Sequence, residues 1–384
     1  MSITEALKDE ERTKETIDSI LAEVMNMIDK KVGDLIKVED IPKEFRANIV
    51  NAFMFLKDKF DGDGAFIKRK SRMVASTTDQ VFADTSSPTV NTITVMSMLH
   101  IAAAKDYELA AYDCEGAFLG TPVDHSKDGR MFIRIPKQIV SFWLQLNPEA
   151  KRFVSPNGCM YMELNKYLYG LPASSNRFHE HFKGILNRGG FKKSVPDPCL
   201  FVKPGRDPTA IGIHVDDMIV MAPSLKELKL VEERVEPHFK LVKNYDDFSY
   251  LGMSIKRNRA KRTIDINMEG HLADIIDKFA PPDLKPADTP APTSLFVDEP
   301  DPPTADNAGG KATLSDDEHR RATRDWQRRN QPLDPERKAI FHSCVMSLMF
   351  PARLARGDFL LPVNYLSTKV ANPTERHSIL CISA

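Results

Sequence analysis

Three aspartates carry the first hint of chemistry. Asp216 and Asp217 stand side by side between the apolar, β-branched runs 210–215 and 218–222, and Asp113 ends the stretch "ELAAYD". Taken alone, the pair reads as the turn of a β-hairpin, because Asp tolerates turn geometry. The sharper reading is a metal site: carboxylates forced together by a turn repel one another unless a cation neutralises them, and hard divalent ions prefer oxygen ligands. Asp113 by itself reads equally well as a helix cap at the end of a strand. With the other two it makes a triad. Two divalent ions about 3.5 to 4 Å apart, bridged by such carboxylates, can activate a 3′-hydroxyl, neutralise a triphosphate and steady the leaving pyrophosphate.

The elements that must hold these residues follow from periodicity. Residues 2–32 read as one helix, with Ser2 and Glu5 at capping-box spacing and Ile17, Ile20, Leu21, Val24 and Ile28 as its apolar stripe. Residues 53–74 read as two strands around the turn "DGDG". A calcium loop there fails, since an EF-hand with its glycine at Gly64 would run from Lys59 to Lys70, where acids are required. A buried helix over 92–107 leads into "ELAAYD", and a second helix covers about 174–188. Ser224 caps the helix that follows the double aspartate, and 250–268 reads as a hairpin with a basic turn. From 281 to about 337 the composition turns to Pro, Asp, Thr and Ala without periodicity, as in a linker or mobile loop; helical pattern returns from Ala339.

With 384 residues, 42% of them hydrophobic, the chain can fill two or three packed lobes. A net charge of −1 gives no global signature of nucleic-acid binding, so such a function must rest on local clusters. Three exist: Lys68, Arg69, Lys70 and Arg72; Lys256, Arg257, Arg259, Lys261 and Arg262; and Arg320, Arg321, Arg324, Arg328 and Arg329. Each cluster alone reads more simply as a solvated face. Five scattered cysteines without a CxxC pair argue against a zinc site or a disulfide framework and suit a reducing, intracellular setting. The charged amino terminus does not read as a secretory signal, and no run of about 18 apolar residues marks a membrane span.

In order along the chain, "YDCEGAFLG", "YLYGLPASSNRF", "DPCLFVK" and "HVDDMIV" resemble the successive motifs of reverse transcriptases of copia-type LTR retrotransposons. The flanking "KSRMVA", "SPTV", "YLGMSIKRN" and "ARGDFLLPVNYLSTKVANPTERH" are similar to that family too, so the likeness spans about residues 3 to 378. The resemblance implies an α+β right-hand polymerase with a ferredoxin-like palm, fingers and thumb, plus helical N- and C-terminal segments. Its divisions would be an N-terminal helical segment (1–48), fingers with part of the palm (49–112), and a palm with motifs A, B and C (113–245). A primer-grip hairpin and the start of the thumb (246–280), the linker (281–337) and a C-terminal helical connection (338–384) would follow, without an RNase H domain.

The resemblance also implies roles. Asp113, Asp216 and Asp217 would be catalytic and would hold Mg²⁺, with Mn²⁺ as the alternative, and the backbone carbonyl of Cys114 would complete the metal shell. Lys70 and Arg72 would clamp the incoming triphosphate, Phe118 would be the aromatic gate under the sugar, and Tyr250, Leu251 and Gly252 would form the primer grip. The implied partners are an RNA template, a DNA or tRNA primer and dNTPs, away from any membrane, in the cytoplasm or in virus-like particles, with the oligomeric state open. Motif B departs from the family's "YGLKQAPRAW": Ala173 occupies the glutamine position in the dNTP site, Asn176 stands where Arg is expected, and His214 replaces the aromatic before the double Asp. An alanine cannot supply the glutamine's hydrogen bonds, so the expectation is a polymerase weakened at motif B. The alternatives are a decayed or domesticated scaffold that binds RNA, and a two-metal nuclease, which leaves Phe118 and the primer grip unexplained.

Overall fold

The computed structural model describes residues 1–60, 66–76, 85–282, 288–291, 293–296 and 316–382. They divide into two compact units, Met1–Phe248 with Arg257–Ile264, and Ser249–Lys256 with Asp265–Ala384.

The first unit opens on the expected capping box: Ser2 Oγ accepts from the Glu5 N–H at 3.3 Å, and Glu5 accepts from the Ser2 N–H at 2.8 Å. The helix it starts, α1 (Ile3–Ala6), lasts one turn, and the apolar stripe belongs to a separate α2 (Thr13–Asp29). The single helix predicted over 2–32 is therefore two. The cause is tertiary: between them the chain brings the Ala6 carbonyl and the Asp9 carboxylate to the guanidinium of Arg69, whose side chain is 1% exposed and also pairs with Asp58 at 2.6 Å. Strands β1 (Gly33–Ile36), β2 (Val50–Phe60) and β3 (Phe66–Ser76) follow; the "DGDG" turn between the last two lies outside the described residues. With the later β5 (Phe132–Ile135) and β6 (Met160–Leu164) they form a sheet ordered β1-β6-β5-β2-β3. Sequence periodicity did not single out β1, β5 and β6, which are short.

The second sheet carries the aspartates. Helix α3 (Thr92–Lys105) leads into β4 (Glu108–Cys114), followed by the short helices α4 (Ala117–Gly120) and α5 (His125–Asp128), then α6 (Lys137–Leu146) and α7 (Ser174–Arg188). Next come β7 (Lys192–Lys193), β8 (Leu200–Lys203), β9 (Thr209–His214), β10 (Asp217–Ala222), α8 (Leu225–Val235) and β11 (Leu241–Tyr245). The sheet order is β11-β4-β10-β9-β8-β7. Helices α3 and α8 pack on it, and β9 and β10 are buried along their whole length except at the shared turn. Such two-sided burial explains their uninterrupted apolar runs. Side chains such as Ile211, Ile219 and Val220, each 0% exposed, contribute about 1.5–3 kcal/mol apiece. Where α8 meets the sheet, buried Glu232 accepts from Tyr112 and Tyr245 hydroxyls at 2.9 and 2.8 Å and from Lys243 at 2.6 Å, so its charge is fully partnered.

Strands β12 (Phe248–Tyr250), β13 (Met253–Asn258) and β14 (Thr263–Asn267) form a three-stranded sheet within which the chain passes from one unit to the other. The second unit adds α9 (Glu269–Phe279), α10 (Asp316–Arg329), α11 (Pro335–Leu354), α12 (Leu360–Ser367) and α13 (Glu375–Ile382). Its core gathers Leu333, Phe341, Val345, Val363 and Leu366. Helix α11 starts as sequence rules dictate, with Pro335 at its first position and Asp334 accepting from the Arg337 N–H. Helix α10 lies inside the stretch read as a linker. Among the described residues no helix is long and apolar enough to cross a membrane.

One buried pair ties the first turn of α7 to α5. Arg177 reaches Asp128 of α5 with two hydrogen bonds of 2.7 Å, and the Tyr167 hydroxyl donates to the same carboxylate; the two charged side chains are 10% and 3% exposed. Replacing Asp128 by Asn keeps the shape and leaves the guanidinium without a countercharge. Asp128→Asn is expected to lower the unfolding free energy by about 3 kcal/mol, the scale for breaking a buried pair, read as a lower urea midpoint at unchanged slope.

Candidate functional site

Strand register brings the three aspartates together. In the β4–β10 pair Asp217 lies directly opposite Asp113, and in β9–β10 it lies opposite His214. Register partners project from the same face, with Cβ atoms about 4.5–5.5 Å apart. Asp216 occupies the two-residue turn, and its carbonyl accepts from the Cys114 N–H at 3.0 Å, which ties the turn to the end of β4. The turn's first residue, Val215, has φ +57°. A β-branched residue rarely adopts that conformation, which glycine ordinarily supplies in tight hairpins.

The electrostatics match this crowding. None of the three half-buried carboxylates accepts a hydrogen bond or joins an ion pair among the described residues. Burial pushes the Asp217 carboxyl up to about 6, with Asp216 and Asp113 adding to the rise. Asp113 is raised by burial and then by Asp216, with Lys70 opposing. Acceptor-only groups that lack donors and repel one another are suited to a hard cation, so the donor set fits a divalent ion. Among the described residues, however, no three His, Cys, Asp or Glu side chains are gathered into a finished metal cage.

Beside the triad lies a cleft of about 420 Å³ lined by Glu23, Asn26, Lys30, Lys68, Lys70, Arg72, Glu115, Tyr169 and Lys240, among others. The period of β3 sorts its basic cluster: Lys68, Lys70 and Arg72 are exposed, whereas Arg69 turns inward to its acidic partners. Although Lys70 is exposed as a residue, partial desolvation of its ammonium, together with neighbouring Arg72 and Lys59, holds it below its usual value, while Asp113 acts in the opposite sense. The Arg72 guanidinium lies 4.9 Å from the Tyr169 ring centre, and that ring lies 5.0 Å from Phe118 in an edge contact. Burial pushes the Tyr169 phenol up to about 12. The Ala75 N–H donates to the Tyr169 carbonyl at 2.7 Å, so β3 fixes the tyrosine beside its arginine. Gly170, at φ +87°, has room for no side chain, because a Cβ there would collide with the Ala75 carbonyl oxygen.

Lys30, from α2, donates to the Glu115 carbonyl at 2.9 Å, and burial lowers its pKa. Beside it Gly116 has φ +64°, a left-handed backbone that favours glycine. Lys240 pairs with the Glu115 carboxylate at 2.6 Å. Tyr169, Lys30, Glu23 and Lys240 escaped the sequence reading. The tyrosine's position before Gly170 in "YLYG" was a usable signal, but the others are brought to the cleft by tertiary contacts alone.

The remaining expected residues stand as follows. Phe118 is 8% exposed on α4 and also meets Phe178. Ala173 is fully buried at the N-cap of α7 and offers that helix no side-chain acceptor. Asn176 donates to the Ser86 carbonyl at 2.7 Å, and the neighbouring Arg177 is held by Asp128. Tyr250, Leu251 and Gly252 belong to the second unit, where Leu251 and Gly252 have φ +49° and +77°. Two cations of the basic hairpin are engaged within the protein. Arg257 pairs with Asp106 and Asp246, and Arg259 with Glu108 and Asp246.

Comparison with known proteins places this arrangement. Residues 34–293 match the family described as reverse transcriptase (RNA-dependent DNA polymerase). That is well over half of the chain, and the protein belongs to that family. Its copia-type character agrees with its relatives. It is 22% identical over 347 residues to the retrovirus-related Pol polyprotein from transposon TNT 1-94 of Nicotiana tabacum, covering 89% of this chain and 23% of that protein. To the corresponding polyprotein from transposon RE1 of Arabidopsis thaliana it is 24% identical over 379 residues, 97% of this chain and 22% of the relative. The RE2 polyprotein of the same plant is 24% identical over 296 residues, covering 76% of this chain and 18% of the relative. The chain thus spans about a fifth of the length of these relatives.

The raised carboxyls set a pH-dependent stability. An Asp whose folded pKa lies above its unfolded value costs the fold nothing below the unfolded value; stability is then lost as pH rises toward the folded value, and the loss is complete above it. Asp217→Asn is therefore expected to stabilise the metal-free protein by roughly 1–3 kcal/mol above pH 6. The gain should vanish as pH falls toward 4 in urea melts with EDTA.

Proposed function

We propose that the chain is the polymerase part of a copia-type Pol polyprotein, an RNA-directed DNA polymerase that extends a DNA or tRNA primer on an RNA template with dNTPs. The observation that carries the reading is the register that sets Asp113 opposite Asp217, next to Asp216, with a cationic cleft at the side. The architecture would be a right hand, with the six-stranded sheet as palm, the β2–β3 hairpin in the fingers and the chain after residue 246 starting the thumb. Residues 1–48 and 338–384 would be its helical terminal segments. Its setting would be the cytoplasm or a virus-like particle.

Asp113 and Asp216 are the proposed metal ligands, with Asp217 as the second motif C carboxylate and the Cys114 carbonyl completing the shell. Mg²⁺ or Mn²⁺ bound there would supply activation of the 3′-hydroxyl and neutralisation of the triphosphate. Lys70 and Arg72 would receive the triphosphate oxygens, and the planar fork of Arg72 is already oriented by Tyr169. Phe118, backed by Tyr169 and Phe178, would form the floor under the sugar that excludes a 2′-hydroxyl. Tyr250, Leu251 and Gly252 would be the primer grip, where two successive left-handed residues let backbone approach backbone. Ala173 brings no hydrogen bond to the incoming base pair, so the proposed enzyme discriminates nucleotides less well than one with glutamine at that position.

The test is dNTP incorporation on poly(rA)/oligo(dT) with Mg²⁺ or Mn²⁺, beside Asp216→Asn. The parent is expected to extend the primer, and the variant to lose at least on the order of 10²-fold, the scale of removing one electrostatic stabiliser. Either ion should also raise the melting temperature of the parent more than that of the variant, because binding to the folded state alone stabilises it. Bound primer–template with no extension in either metal would instead identify a decayed scaffold that binds RNA.

A further inference from the structure

The basic helix α10 lies outside the residues matched to the reverse transcriptase family and has no part in the proposed site. At 100° per residue Arg320, Arg324, Arg328 and Arg321 fall within about 100° of arc. Burial follows the same wheel. The four arginines, and Gln327 beside them, are exposed, whereas Ala322, Thr323, Trp326 and Asn330 on the other side are partly covered. Trp326 thus belongs to the packed side, and the stripe presents charge without an aromatic platform for bases.

Several arginines of the first unit are committed to acidic partners. Arg69, Arg130, Arg177, Arg257 and Arg259 each meet a carboxylate within 3.0 Å. Arg320, Arg321, Arg324 and Arg328 enter no ion pair among the described residues, and Arg324 Nε merely donates to the Arg320 carbonyl at 3.2 Å. The acidic residues Asp317 and Glu318 stand in the first turn, where they complement the helix dipole. From Arg320 to Arg328 the stripe is about 12 Å long. A duplex presents one phosphate charge per about 1.7 Å of its axis, so several phosphates lie within reach of a stripe of that length.

We propose that the exposed face of α10 binds the phosphodiester backbone of nucleic acid without regard to sequence, as a site separate from the aspartates and their cleft. A planar fork of donors suits phosphate oxygens. The proposal does not depend on polymerase activity, because it concerns binding without metal or dNTP.

The experiment is fluorescence anisotropy of the full chain with labelled 20-base duplex and single-stranded probes, RNA and DNA, in EDTA across a salt series. The comparison proteins are R320Q/R321Q/R324Q/R328Q and the four-lysine equivalent R320K/R321K/R324K/R328K. Each phosphate contact adds about 0.9 to the slope of log affinity against log salt for a duplex, and about 0.7 for a single strand. The glutamine variant is expected to lose about 3 to 4 from the duplex slope and at least tenfold in affinity near 0.1 M salt. The lysine variant should keep most of both, and circular dichroism should be unchanged in both. An unchanged slope and affinity in the folded glutamine variant overturns the proposal. So does a loss confined to vesicles containing phosphatidylserine or to a poly-glutamate probe, either of which would assign the stripe to a membrane or to an acidic protein.

Discussion

Antiparallel pairing of β4 with β10 is the constraint from which the candidate site follows. Once Asp217 is in register with Asp113, period-2 geometry puts both carboxylates on one face and leaves Asp216 in the turn beside them. A slip of one residue would point the aspartates at opposite faces and exchange every β10 side chain between its two packed surroundings, which α3 and α8 help to form. Burial of β9 and β10 on both faces makes that slip costly. The apolar strands thus fix the position of charges that would otherwise move apart. Glu232 of α8 holds β4 from its other neighbour, since Tyr112 of β4 and Lys243 of β11, themselves register partners, both donate to it.

Positive charge is divided between two tasks. Arg69 and Arg177, almost without solvent, hold chain segments in place: the first organises α1, Asp9 and the β2–β3 hairpin, the second the start of α7. Lys30, Lys68, Lys70 and Arg72 instead line an open cleft. The alternation of β3 produces the division directly, because Arg69 points inward while the residues on either side of it point out. A cluster that reads in sequence as a single solvated patch is therefore one structural cation between cleft cations.

Legibility in the sequence followed the range of the forces involved. The hairpin around Asp216 and Asp217, the strand ending at Asp113, and the helices near 92–105 and 174–188 were readable because period, caps and apolar runs are local signals. The break between α1 and α2 was not, since its cause is Arg69, about sixty residues away in sequence. The same holds for Lys30, which meets the Glu115 carbonyl across a separation of 85 residues. The basic hairpin shows the converse. Sequence shows a run of cations, but Asp106, Glu108 and Asp246 come from elsewhere to meet Arg257 and Arg259. Composition counts charges without showing which are already paired.

The hairpin turn also carries two separate costs in three consecutive residues. Val215 occupies a left-handed conformation that disfavours a non-glycine residue by about 1–2 kcal/mol, and Asp217 is ionised at neutral pH against burial and two like charges. Neither is required by the strands, which would pair equally well around Asn-Gly. A turn selected only for folding would have relieved both by single substitutions, since stabilising changes of that kind are readily accessible. Strain kept where carboxylates converge is the pattern of a site under a functional demand. The buried methyl of Ala173 is the opposite case: it carries no such strain and offers α7 no side-chain acceptor. Unrelieved strain and unrelieved charge therefore coincide at the turn, while the buried start of α7 shows neither.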